Sequence, residues 1–95
     1  MKAEPLLKER HVLNETAFVE FVIWRLPRSL GGSRHMFKYR LAYVVAGECV
    51  LRFDNETGKG DHKHIGDAET PYAFVSPQQL LADFWAEVDR WSRKK

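Results

Sequence analysis

The sequence predicts an α+β domain: a curved, mainly antiparallel β-sheet of four or five strands with one C-terminal α-helix packed across a face. Three observations predict it. Strand-like runs follow one another from Leu6 to Val75 with turn residues between them, and one helical pattern comes only at the end. Of the 95 residues, 44% are hydrophobic and 29% charged, the composition of a globular chain. A chain of this size buries roughly two-thirds of its unfolded surface, enough for one core, so residues 1–95 are read as a single domain.

Leu6 to Leu13 is a weak strand, and Asn14, Glu15 and Thr16 supply the turn after it. Ala17 to Leu26 is the strongest β signal, with Phe18, Val19, Phe21, Val22, Ile23 and Trp24 all β-branched or aromatic. Trp24 is assigned to the core on that pattern. Pro27 ends the run because it cannot donate to a ladder. Arg28 to His35, with Ser29, Gly31, Gly32 and Ser33, reads as a loop.

Met36 to Val45 and Glu48 to Asp54 form a hairpin around Ala46-Gly47. A two-residue turn pairs Val44 with Cys49, Ala42 with Leu51, Arg40 with Phe53, Tyr39 with Asp54 and Lys38 with Asn55. Cys49, mid-strand, is expected to be buried and inert. Asn55 to Ala68 reads as a long loop holding Gly58, Gly60 and Gly66, two of the four histidines and two lysines. Tyr72 to Val75 reads as a short edge strand. Ser76 caps the helix, Pro77 suits its first position, and Gln79 completes a Ser-x-x-Gln capping box. Leu80, Leu81, Phe84, Trp85, Val88 and Trp91 then recur as one apolar stripe. Core packing is the plainer account of that stripe; the other is that part of it meets a partner, a second copy included.

Several function classes are excluded. The longest apolar stretches, Phe21 to Trp24 and Leu41 to Ala46, are far shorter than the ~20 residues that cross a bilayer. One cysteine makes no internal disulfide, and the N-terminal segment lacks the apolar centre of a signal peptide, so a cytoplasmic location is expected. The net charge of +2 is too small to identify a nucleic-acid binder. Its distribution says more. No Asp or Glu occurs between Phe21 and Gly47, while Arg25, Arg28, Arg34, Lys38 and Arg40 do. Such a segment either attracts a polyanion or lies as a solvated basic loop.

Four groups of residues carry candidate chemistry. Gly58-Lys59-Gly60 would let backbone N–H groups and a lysine approach a phosphate, although it lacks Walker A spacing. His62 and His64 share one face of an extended segment. As metal ligands they would need Asp61 or Asp67 as a third. The spacing offers no convincing third and fourth ligand, so neither a metal nor another cofactor is expected. As an acid–base pair they suit attack of a ribose 2′-hydroxyl on its phosphate. The competing account is two surface histidines satisfied by carboxylates. Lys38, Tyr39 and Arg40 lie beside that loop in the expected register. Tyr39 would stack on a base, or else alternate inward with Phe37 and Leu41. Asp54 and Asn55 would cap the turn, or orient the site.

Val22-Ile23-Trp24-Arg25, Lys38-Tyr39-Arg40-Leu41, Phe53-Asp54-Asn55, Gly58-Lys59-Gly60-Asp61-His62-Lys63-His64, Phe74-Val75-Ser76 and Leu80-Leu81-Ala82-Asp83-Phe84 together resemble the TumE-like proteins of bacterial and archaeal toxin–antitoxin modules. The likeness covers nearly the whole chain, and the glycine, lysine and histidine segment is its specific part. It implies a toxin paired with a small antitoxin that carries a DNA-binding domain. It also implies that Lys38, Tyr39, Asp54, Asn55, Lys59, His62 and His64 occupy the family's motif positions.

The leading expectation is a toxin that acts on RNA by metal-independent cleavage. His62 and His64 would be base and acid in either order, and Lys59, Lys38 and Arg40 would hold phosphate. Tyr39 would position a base, with Asp54 and Asn55 shaping the loop. The alternative is a non-enzymatic module whose basic face binds nucleic acid or a partner protein. A third reading is a homodimer built on the aromatic helix.

Overall fold

The computed structural model describes residues 3–28, 35–56 and 60–93. Among them six strands, β1 (Glu4–Val12), β2 (Ala17–Arg25), β3 (Phe37–Val45), β4 (Glu48–Glu56), β5 (Gly60–Ile65) and β6 (Ala68–Pro71), precede one helix, α1 (Pro77–Arg93). All neighbours are antiparallel and lie in sequence order, so the sheet is an open meander with β1 and β6 at its edges. The α+β class holds; the strand count is six, not four or five. No helix among the described residues is long and apolar enough to cross a membrane.

The extra strands come from the segment expected to be a loop. Residues 60–71 form the β5–β6 hairpin, and Tyr72 to Val75 lies beyond its end instead of forming the edge strand. Composition hid this, because no apolar alternation marks the segment. Its inward positions are polar groups that find partners elsewhere: Asp61 receives bonds from Tyr39 and His35, and Lys63 donates to Glu87 of α1 at 3.2 Å. Partners distant in sequence replace the missing hydrophobic signal.

The β3–β4 hairpin turns at Ala46 and Gly47, both with positive φ (51° and 77°), the turn whose twist matches the strands. Val44 faces Cys49 as expected. A bulge at Val50 then moves the register by one, pairing Tyr43 with Leu51, Leu41 with Phe53 and Arg40 with Asp54. The physical reason is burial. Without the extra residue Leu51 and Phe53 would point away from the helix; with it they join Tyr43 and Leu41 in the core. The same step turns Arg52 and Asp54 to the opposite face. Cys49 lies beside the bulge and is exposed, contrary to the buried thiol expected.

One face of the sheet packs under α1. Val19, Phe21 and Ile23, Leu41, and Leu51 and Phe53 meet Leu80, Phe84 and Val88. The Phe84 ring stands edge-on to Phe21 at 5.5 Å and to Phe53 at 5.6 Å. Helix α1 starts as expected, with the Gln79 N–H donating to Ser76 Oγ at 3.0 Å. Its capping box is half made, since the Gln79 amide reaches forward to Asp83 at 2.7 Å. Trp91 packs against the core, and Trp85 leans edge-on to Phe21 while 38% exposed. Trp24 is not in the core: it stands half-buried on the face that no helix covers.

Candidate functional site

Antiparallel register lines up the residues of the uncovered face in rows across the strands. One row runs Lys8, Val22, Arg40, Asp54, His62, Pro71. The next runs Arg10, Glu20, Ala42, Arg52, His64, Glu69. On the other side of the first row, Trp24 faces Lys38. His62 and His64 therefore point the same way, about 7 Å apart along β5. The sequence expected that pairing for an extended segment, and β4 supplies the charged groups beside it.

Between β2, β3 and β4 this face is concave, with a cavity of about 380 Å³ walled by Trp24, Lys38, Arg40, Arg52, Asp54 and Glu56. Asp54 organises its charged side. Its carboxylate lies 3.0 Å from Arg52 Nε and 3.7 Å from His64 Nε2. The Arg52 contact is charge to charge, because that N–H makes no aligned hydrogen bond. The other arm of Arg52 donates to His64 Nε2 at 3.2 Å. Arginine has only donors, so Nε2 is the acceptor of that bond. Glu69 approaches the same nitrogen at 3.6 Å. Arg40 is exposed and makes no ion pair among the described residues. Lys38 is more confined, its ammonium donating to the Asn55 carbonyl at 2.5 Å. Among the described residues no group of three or more His, Cys, Asp or Glu side chains is arranged to hold a metal ion.

Two of the expected site residues lie on the other side of the sheet. Tyr39 is 1% exposed, with its ring stacked on Phe74 at 5.5 Å, so it takes the inward alternation with Leu41. Its hydroxyl donates to Asp61 at 2.5 Å, and His35 Nε2 meets the same carboxylate oxygen at 2.8 Å. The Phe37 N–H donates to His35 Nδ1 at 3.1 Å, which places the ring proton on Nε2. Burial first, and then the Asp61 bond and charge, push the Tyr39 phenol far above its ordinary pKa.

Asn55 is fully buried. It does not cap a turn; its amide spans β3 and β4, accepting from the Tyr39 N–H at 3.0 Å and donating to the Phe37 carbonyl at 2.7 Å. Lys59, with Thr57 and Gly58, falls outside the described residues, as does most of the Arg28 to His35 loop.

The basic segment does not form one patch. Lys38 and Arg40 join the uncovered face, whereas Arg25 pairs with Phe37 on the helix side. Arg52 and Trp24 belong to the concavity, and the sequence assigned neither to a site. Trp24 looked like any strand aromatic, and Arg52 reaches the uncovered face only through the bulge at Val50. A family model described as Toxin TumE matches residues 2–92. No curated protein and no solved structure matches the chain significantly.

Proposed function

The chain belongs to the TumE toxin family, and on that premise we propose that it cleaves RNA on the uncovered face of its sheet. The toxin family implies an antitoxin partner that restrains it, so the growth-inhibiting activity is sought on the toxin. The observation that carries the proposal is the placement of two imidazoles on one face, with Arg52 beside His64 and Arg40 in the row of His62, two strands away across Asp54.

His64, an acceptor at Nε2, takes the proton of a ribose 2′-hydroxyl. Arg52 leaves that nitrogen as the hydroxyl arrives and turns to a phosphoryl oxygen. The 2′-oxygen attacks the adjoining phosphorus, and Arg40 stabilises the charge that develops. His62, protonated, gives its proton to the departing 5′-oxygen. The products are a 2′,3′-cyclic phosphate and a 5′-hydroxyl. Because one ring must be neutral and the other charged, the rate passes through a maximum with pH.

Purified protein incubated with total RNA tests the reaction, alongside induced expression in a bacterial host. His62→Ala and His64→Ala should each lower cleavage by about 10²–10⁴ while the fold survives, and both should relieve growth arrest. Growth arrest by the wild type with intact RNA would refute cleavage and favour the non-enzymatic binding module.

A further inference from the structure

We propose that Trp24 is a stacking platform for a base of single-stranded RNA, held on the same face as the histidines; the inference rests on the RNA reading above. Trp24 differs from the other two tryptophans. Trp85 and Trp91 both lean on the buried cluster. Trp24 neither belongs to that cluster nor packs against it, and it has no ring partner among the described residues. Its indole walls the concavity on a sheet face that no described element covers. An aromatic side chain left half in water forgoes much of its burial energy, and a flat base recovers it.

Charge selects the occupant. Arg40, exposed and without an ion pair among the described residues, stands one row from Trp24 toward the histidines. Asp54, the acid next to Arg40 in that row, already faces Arg52 and His64. A chain whose flat rings alternate with negative charges fits an indole followed by an unpaired guanidinium. Trp24 on β2 lies three strand spacings from His62 on β5, about 14 Å along the hydrogen-bonding direction. The stacked base is therefore a neighbour of the cleaved linkage and not the nucleotide that reacts. A duplex keeps its bases stacked inside and offers none to the indole, so the platform selects single strands.

The test uses full-length protein carrying His62→Ala and His64→Ala together, so that the probe survives. The probes are a fluorescein-labelled oligoadenylate and the same strand annealed to its complement, titrated by fluorescence polarisation. Adding Trp24→Ala should weaken single-strand binding by about ten- to a hundredfold and leave duplex binding unchanged. Trp24→Phe should retain most of the affinity, and circular dichroism should be the same for all variants. Equal loss for both probes, or single-strand binding unaffected by Trp24→Ala, would overturn the platform. If Trp24→Ala does not fold, a Trp24→Phe protein as weak as one lacking affinity altogether would also overturn it. The two proposals fail separately. Histidine-dependent cleavage that ignores Trp24 sinks the platform alone, whereas Trp24-dependent binding without cleavage by the wild type sinks the chemistry alone.

Discussion

The two faces of this sheet are made by alternate residues of the same strands, yet they have opposite accounts of their polar groups. On the face under α1, the buried polar side chains of the strands have partners, and the Trp91 indole N–H on the helix is the exception among the described residues. Asn55 bridges two strands, Tyr39 and His35 share Asp61, and Lys63 meets Glu87. Among the described residues of the uncovered face, Arg40 has no ion pair and the indole of Trp24 has no ring to pack on. Period-two alternation lets one set of residues fix the fold while the other set remains available to a ligand. Substitutions should therefore separate by face, with stability lost on one and activity on the other.

The largest loss of stability is expected from Phe84→Ala. Phe84 is fully buried with its ring edge-on to Phe21 and Phe53, and truncating such a ring costs about 3–5 kcal/mol, read as a lower midpoint in urea.

 Asn55→Ala follows at about 2–3 kcal/mol, because it strands the buried Tyr39 N–H and Phe37 carbonyl without partners. Phe84→Ala or Asn55→Ala proteins that melt like the wild type would break the contrast at its strong end.

Tyr39→Phe is expected to cost less, about 1–2 kcal/mol, for the lost bond to Asp61. It also sharpens the contrast through pH. The Tyr39 phenol is raised in the folded protein from an ordinary value of 10.0, by burial and then by Asp61. Above about pH 10 the unfolded chain releases that proton and the folded one keeps it. The stability that Tyr39 contributes is thus complete below pH 10 and falls as pH rises beyond it. Tyr72 is raised in the same direction by burial and its bond to Asp83, so it shares in the alkaline slope. Urea midpoints measured from pH 8 to 11 should show a shallower alkaline decline in Tyr39→Phe than in the wild type. Parallel declines would mean that this hydroxyl does not hold the covered face together.

How much of this was legible in the sequence follows from the same alternation. Strands β2 and β3 and helix α1 announced themselves, because Phe18 to Trp24 and the Leu80 to Trp91 stripe carry enough apolar residues to mark their period. The turn at Ala46-Gly47 and the Ser76 cap were legible because each depends on one or two neighbouring residues. Strand β5 was not, since Asp61 and Lys63 are inward only by virtue of Tyr39, His35 and Glu87, which lie far away in the chain. The bulge at Val50 was hidden for a related reason: only the demand that Leu51 and Phe53 reach the core fixes it. That hidden residue also decided the candidate site. The spacing of His62 and His64 already put them on one face, but their company there, Arg52 and Asp54, depended on a register that no local pattern displayed.

The smallest effect on stability is expected from Arg40→Ala, and it tests the uncovered face most directly. Arg40 is exposed and holds no ion pair among the described residues, so its removal should shift the folding free energy by no more than about 0.5 kcal/mol. The proposed role makes the opposite demand on activity, because Arg40 carries the positive charge that meets the phosphate between the indole and the histidines. Cleavage of a single-stranded substrate should fall at least tenfold, and more steeply at low salt, where unscreened phosphate contacts contribute most. Arg40→Lys should recover part of that loss, since a point charge remains but the planar fork does not. A stable Arg40→Ala protein that cleaves and arrests growth like the wild type would remove phosphate from this row. A destabilised one would mean that the uncovered face also carries the fold, and the division between the two faces would fail.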